Sequence, residues 1–231
     1  MKILATGDTI RFEELKQKLS AHELVFYKDS EEFEAKKEGT ELVIDLNFNA
    51  DFHRLGVIKN SCLPMIVSVA TTSLIKISYS FKDATQIYGL CCLPTFINRP
   101  LWEMSILNES DREPLEKLAA SLGVEIKIVG DRVGMATPRV ICMIINEAYF
   151  TVQEGTASKA DIDTAMKLGT NYPHGPFEWC EKIGIENVYE LLNCMYDDTH
   201  DERYKICPLL KTEYLKSSAS QALFSDDEIP L

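Results

Sequence analysis

The sequence predicts an α/β domain built on a parallel sheet, followed by an all-α domain. Two observations carry this. Short β-rich runs alternate with helical patterns over the first 130 residues, the pattern of a sheet covered by helices on both faces. Near Val133 the apolar period becomes helical and stays so.

Taken in order, Lys2-Ile3-Leu4-Ala5 reads as a strand and Phe12 to Leu19 as an amphipathic helix. Glu23 to Phe26, Glu41 to Leu46 and Met65 to Val69 are further strands, and Ala84 to Cys92 contains a fifth. Glu125 to Val129 closes the series after a helix over Asp111–Leu122. Thr137-Pro138 opens the helical part, since proline in the first turn loses no hydrogen bond. Val140, Met143, Ile144 and Ala148 then share a face. Ser158 with Asp161 opens a helix through Leu168 that Gly169 is expected to stop. Gly175-Pro176 starts another, Gly184 ends it, Ile185 to Met195 supplies the next, and a last helix lies around Pro208 to Leu215. The predicted domains are residues 1–130 and 134–216, with a mobile tail over 217–231 that carries Asp226-Asp227-Glu228.

Composition narrows the function. The chain has 231 residues, 45% apolar and 26% charged, with net charge −12 and pI near 4.8. That balance argues against nucleic acid, whose phosphates need a basic face. It also offers no general attraction for an anionic cofactor, so any such site needs local positive groups or helix N-termini. No apolar run is long enough to span a bilayer, and no signal peptide is evident. The seven cysteines show no CxxC pair and sit in apolar contexts, which reads as reduced thiols in a cytoplasmic protein with no metal site.

The segment Ile162-Asp163-Thr164-Ala165-Met166-Lys167-Leu168-Gly169, followed by Tyr172-Pro173-His174-Gly175-Pro176-Phe177-Glu178, resembles the hallmark of the 3-hydroxyacyl-CoA dehydrogenase family's C-terminal domain. Ile144-Ile145-Asn146-Glu147-Ala148, Arg203-Tyr204 and Pro208-Leu209-Leu210 match it too. The resemblance runs from about Leu42 to Leu215 and is strongest after Gly130. It implies a Rossmann-like, NAD-binding sheet that carries the catalytic residues. The second domain would be helical, like the C-terminal domain of 6-phosphogluconate dehydrogenase, forming a homodimer interface and one wall of an acyl-CoA cleft. His174 stands where the family is usually apolar, so a structural or surface role is expected.

In the dinucleotide fingerprint, a Gly-rich turn after the first strand lets the pyrophosphate reach a helix N-terminus. Here the turn reads Gly7-Asp8-Thr9-Ile10-Arg11-Phe12, and only Gly7 survives. Asp29 lies roughly 20 residues beyond, near the spacing of a ribose-binding acid, but an acid after a strand is common and a cap for the helix beginning Glu31-Glu32 is the preferred reading. The family's helical hairpin that helps clamp CoA has no room between Tyr27 and Glu41, where one short helix fits. The Rossmann-like sheet is therefore read as truncated, and NAD is expected not to bind.

The family's general base is a histidine in Gly-x-His-Phe-Phe-Asn-Pro. The matching Gly89-Leu90-Cys91-Cys92-Leu93-Pro94 puts Cys91 at that place. The family's orienting glutamate corresponds to Glu103, its serine region to Thr72, and its asparagine to Pro138. Imidazole can take a proton at neutral pH and a carboxylate stabilises the cation. A thiol acts as an anion, which a carboxylate opposes. Cys91 is read as a small buried hydrophobe, with a nucleophile as the rival. Neither His22, His53 nor His200 is placed to substitute. The expected function is a non-catalytic family homologue that binds an acyl-CoA-like ligand. The alternatives are an active NAD-dependent 3-hydroxyacyl-CoA dehydrogenase of fatty acid metabolism, and a dimeric assembly or regulatory subunit.

Overall fold

The computed structural model describes residues 1–48, 63–80 and 86–225. His53, Cys62 and the acidic stretch Asp226-Asp227-Glu228 lie outside them. The chain forms two compact units, Met1–Thr137 and Pro138–Leu231.

The first unit is a twisted sheet. Its strands are β1 (Lys2–Thr6), β2 (Glu23–Phe26), β3 (Leu42–Asp45), β4 (Met65–Ser68), β5 (Ile87–Leu90), β6 (Leu101–Ser105) and β7 (Glu125–Ile128). They lie in the order β2-β1-β3-β4-β5-β6-β7. Leu42 to Asp45 are all buried, as are Ile87 to Leu90, because helices cover both faces of a parallel sheet and leave no strand residue to water. Its helices are α1 (Thr9–Lys18), α2 (Ser30–Lys36), α3 (Leu74–Ser80) and α4 (Arg112–Leu122). Leu15 and Leu19 anchor α1 on Ile3, Ala5 and Ile44.

Two features depart from the plain parallel pattern. Dinucleotide-binding sheets carry two strands beyond the first, in the order 3-2-1-4-5-6. Among the described residues β2 stands alone beyond β1, one strand fewer on that side than in this order. The other departure is β6, which pairs antiparallel to β5 while β7 runs parallel to β6. The sequence reading assigned no strand over Leu101–Ser105 and expected parallel pairing throughout. Only residues 91–100 join β5 to β6, too few for the crossover a parallel neighbour needs. Trp102 fixes β6: its ring is buried and its indole N–H donates to the Ile97 carbonyl at 2.6 Å.

The helical unit comprises α5 (Thr137–Gln153), α6 (Lys159–Thr170), α7 (Pro176–Ile183), α8 (Ile185–Thr199) and α9 (Pro208–Ser225). Ser158 caps α6 as the capping pattern implied, accepting from the Asp161 N–H. The helix runs through Gly169, however, and the residue in the left-handed conformation is Asn171, with φ 56°. A helix tolerates one glycine at roughly 1 kcal/mol, so Gly169 stops nothing. The last helix continues past Ser217, where the tail was expected, to Ser225.

The hallmark segment has a physical basis. The Asp163 carboxylate of α6 accepts from the Phe177 N–H at 2.8 Å and the Glu178 N–H at 3.2 Å. One helix thus caps the next, satisfying N–H groups that have no intrahelical partner. Gly175 is required because a Cβ there would sit 2.3 Å from Asp163. Pro176 sits where no N–H is needed. Glu178 completes the turn by accepting from the Gly175 N–H at 3.1 Å and pairing with Lys167. Buried Asn146 joins the other matching segments. It accepts from the Cys207 N–H and donates to the Lys205 carbonyl, both at 2.9 Å.

Candidate functional site

Cys91 follows β5 directly, at the carboxyl end of the strands, where open α/β sheets bind their ligands. Gly89, two residues earlier, admits no side chain: a Cβ would lie 2.2 Å from Ser105 Oγ and 2.6 Å from Val69 Cγ2. The strands are therefore closely drawn together just below the thiol. Cys91 is 3% exposed and Cys92 is fully buried. Burial pushes the Cys91 thiol up to about 12, and raises Cys92 as well. Both are neutral at physiological pH, which suits small apolar fillers and opposes the nucleophile alternative.

The following segment is tied to α1. Thr95 takes a positive φ of 73°, uncommon for a residue with a Cβ, and its N–H donates to both Glu14 oxygens at 2.8 and 3.0 Å. Lys18 Nζ donates to the Arg99 carbonyl at 2.6 Å. So held, Arg99 donates from Nε to the Thr95 carbonyl at 3.1 Å and lies over the Phe96 ring at 4.0 Å. A cavity of about 270 Å³ opens here, lined by Leu90, Cys91, Phe96, Arg99 and Glu103 among others.

Glu103 projects from β6. Its carboxylate accepts from the Ala136 N–H at 3.2 Å, from the Thr137 N–H at 3.0 and 2.9 Å, and from the Thr137 hydroxyl. It works as a cap where α5 begins. Pro138 follows it, buried in the first helical turn. The structure thus brings Cys91 and Glu103 to one cavity. Thr72 is buried in the loop between β4 and α3 and does not line that cavity. The neighbouring Asp131 caps α3, accepting from the Leu74 and Ile75 N–H groups at 2.8 and 2.9 Å.

At the first turn, Gly7 has φ 152° and a Cβ there would lie 2.7 Å from Leu46 Cβ. Asp8 caps α1, accepting from the Arg11 N–H at 2.9 Å and pairing with the Arg11 guanidinium at 2.8 Å. Ile10 is 66% exposed, and Phe12 packs edge-on against Phe26 at 5.2 Å. Asp29 caps α2, its Oδ1 accepting from the Glu32 N–H at 2.9 Å. Among the described residues no cluster suits a metal ion. Among the described residues, no helix is long and apolar enough to cross a membrane.

Residues 134–222 match the family described as the 3-hydroxyacyl-CoA dehydrogenase C-terminal domain. The likeness to the 3-hydroxyacyl-CoA dehydrogenase family thus lies in the helical unit. It is similar to 3-hydroxyadipyl-CoA dehydrogenase of Escherichia coli K12, 40% identical over 100 residues that make up 43% of this chain and 21% of that protein. Against 3-hydroxybutyryl-CoA dehydrogenase of Clostridioides difficile it is 27% identical over 172 residues, 73% of this chain and 61% of that one. The chain therefore spans less than two thirds of the length of either relative. The crystal structure of FadB2 from M. tuberculosis superposes with a TM-score of 0.74 over 94% of this chain and 93% of that chain. At 16% identity that likeness shows the fold alone.

The 3-hydroxyacyl-CoA dehydrogenase motifs did not point to two residues that line the cavity. Arg99 went unremarked because its place in the cavity depends on α1 and on the turn at Thr95, both remote from any motif. Thr137 appeared only as a helix start. Its link to Glu103 spans 34 residues, and no local pattern encodes that.

Proposed function

We propose that this member of the 3-hydroxyacyl-CoA dehydrogenase family lacks hydride transfer and binds an acyl-CoA-like ligand. The observation that carries the reading is Asp8. A dinucleotide's pyrophosphate needs the free N–H groups and positive end of the first helix. In this chain the Asp8 carboxylate accepts the Arg11 N–H itself, at the end where the phosphates would bring negative charge. Close approach would also need glycine where Thr9 and Phe12 stand. The turn does not fit NAD.

The reacting groups support the same conclusion. A buried, protonated thiol at Cys91 cannot take a hydroxyl proton near neutral pH. Glu103 is engaged by Ala136 and Thr137. Pro138 has neither an amide side chain nor a backbone N–H to offer a substrate oxygen. The rival reading, an active NAD-dependent dehydrogenase, draws on the names of the similar proteins, two of which are dehydrogenases of 3-hydroxyacyl-CoA substrates.

Homodimerisation through the helical unit is part of the proposal. The apolar residues Ile141, Ile145, Val188, Leu191, Leu192 and Met195 of this unit are buried within the monomer. What remains for a partner is the exposed set Val140, Leu168 and Leu215. Titrating NADH and acetoacetyl-CoA separately, by calorimetry or thermal shift, tests the binding reading, because specific binding raises stability by mass action. Response to the thioester alone is expected. A low-micromolar dissociation constant for NADH refutes the proposal.

A further inference from the structure

The cavity beside Cys91 contains a cation that neither the family motifs nor the helix caps explain. Arg99 is half-buried, and burial lowers its pKa below the ordinary guanidinium value. Its Nε hydrogen bond to the Thr95 carbonyl and its stacking on Phe96 fix the plane of the guanidinium. Among the described residues it makes no ion pair. Glu14 is engaged by the Thr95 N–H and Glu103 by Ala136 and Thr137. These two carboxylates and the Cys91 thiol are the acidic groups that act on Arg99. Arg11 adds a second positive influence at Cys91.

We infer that this cavity is a binding site for a short aliphatic carboxylate, held through the Arg99 guanidinium. Arginine presents donors in a fork that matches a carboxylate bidentately, and such charge-assisted bonds are about twice as strong as neutral ones. Of the remaining lining, Leu90, Phe96, Pro100 and Leu101 suit methylene groups, while the Glu103 carboxylate is taken up by the Ala136 and Thr137 N–H groups. Cys91 lies alongside as a neutral thiol and does not repel an anion. At about 270 Å³ the cavity falls just below the ~300–1,000 Å³ of pockets that enclose a drug-sized ligand. It therefore takes one end of a molecule or a very small one. On a chain of net charge −12, anion binding requires a local cation of this kind. This inference stands apart from CoA binding, since free carboxylate suffices.

The test is thermal shift and calorimetry on the full chain with butyrate, and with butyramide as its uncharged counterpart. Butyrate is expected to bind about tenfold or more tightly than butyramide, the margin of roughly one charged hydrogen bond. Arg99→Leu should abolish the difference, and Arg99→Lys should retain part of it. Should Arg99→Leu fail to fold, Leu101→Trp fills the cavity from its partly exposed wall and should abolish butyrate binding with Arg99 intact. Glutarate against glutaryl-CoA separates a free acid from a carboxylate at the far end of an acyl chain, and preference for either supports the site. Equal response to butyrate and butyramide, no response to butyrate, or undiminished binding by folded Arg99→Leu would overturn it.

Discussion

Glu103 caps the chain at Thr137. Both carboxylate oxygens accept from the Thr137 backbone N–H, at 3.0 and 2.9 Å, and the Thr137 hydroxyl donates to Oε1. The residue that matches the family's orienting glutamate thus has a structural task that requires no histidine beside it.

Removing that cap should destabilise the protein measurably. Glu103→Ala is expected to cost about 1–2 kcal/mol, the scale of losing an N-terminal helix cap. Glu103→Gln, which keeps one acceptor oxygen, should cost less. Urea denaturation midpoints at unchanged slope measure both. An Ala variant as stable as the parent would show that the cap contributes nothing.

The neutral thiol at Cys91 implies a pH dependence with a definite sign. Its folded value of about 12 lies above the ordinary 9.0, so the folded state keeps a proton that the unfolded chain has released. The stabilisation is fully present below pH 9 and is lost as pH rises from 9 towards 12. Thermal midpoints should fall across that window, and less steeply in Cys91→Ala. Native protein at pH 8 should also leave Cys91 unlabelled by iodoacetamide until unfolded.

Two glycines should be intolerant for different reasons. Gly89→Ala drives a Cβ into Ser105 Oγ and Val69, buried atoms with little freedom to move, at a cost of about 1–3 kcal/mol or more. Gly175→Ala instead drives it into Asp163, displacing the carboxylate that caps α7. Asp163→Ala should reproduce most of the Gly175→Ala loss, and the double variant should fall well short of the sum. Full additivity in chemical denaturation would separate the two residues.

The helical unit was legible because its signals are local. Ser158 caps α6, Pro176 opens α7 and Gly184 lies between two helices, each within one turn of where the sequence put it. Gly169 misled because a glycine inside a helix and one that ends it look alike until the left-handed residue, Asn171, is seen. The strand at Leu101–Ser105 was hidden by its shortness and by Glu103, whose partners are distant in sequence. For the same reason the motif comparison located Cys91 and Glu103 but passed over Arg99. A cation in a cavity is a tertiary fact, made here by Glu14 and Lys18 of α1 holding residues 95–100 in place.

Acetoacetyl-CoA reduction by NADH separates a chain that lacks hydride transfer, as proposed, from one that performs it. A missing general base costs roughly 10²–10⁴ in rate, a lost oxyanion donor about 10²–10³, and an unsuitable cofactor turn removes the alignment that both require. The assay should compare the wild-type chain with Cys91→His/Pro138→Asn. Neither should oxidise NADH above background, because neither repairs the turn at Asp8. Clear turnover by the wild type would contradict the proposal, and turnover by the double variant alone would show that the first turn accepts NAD after all.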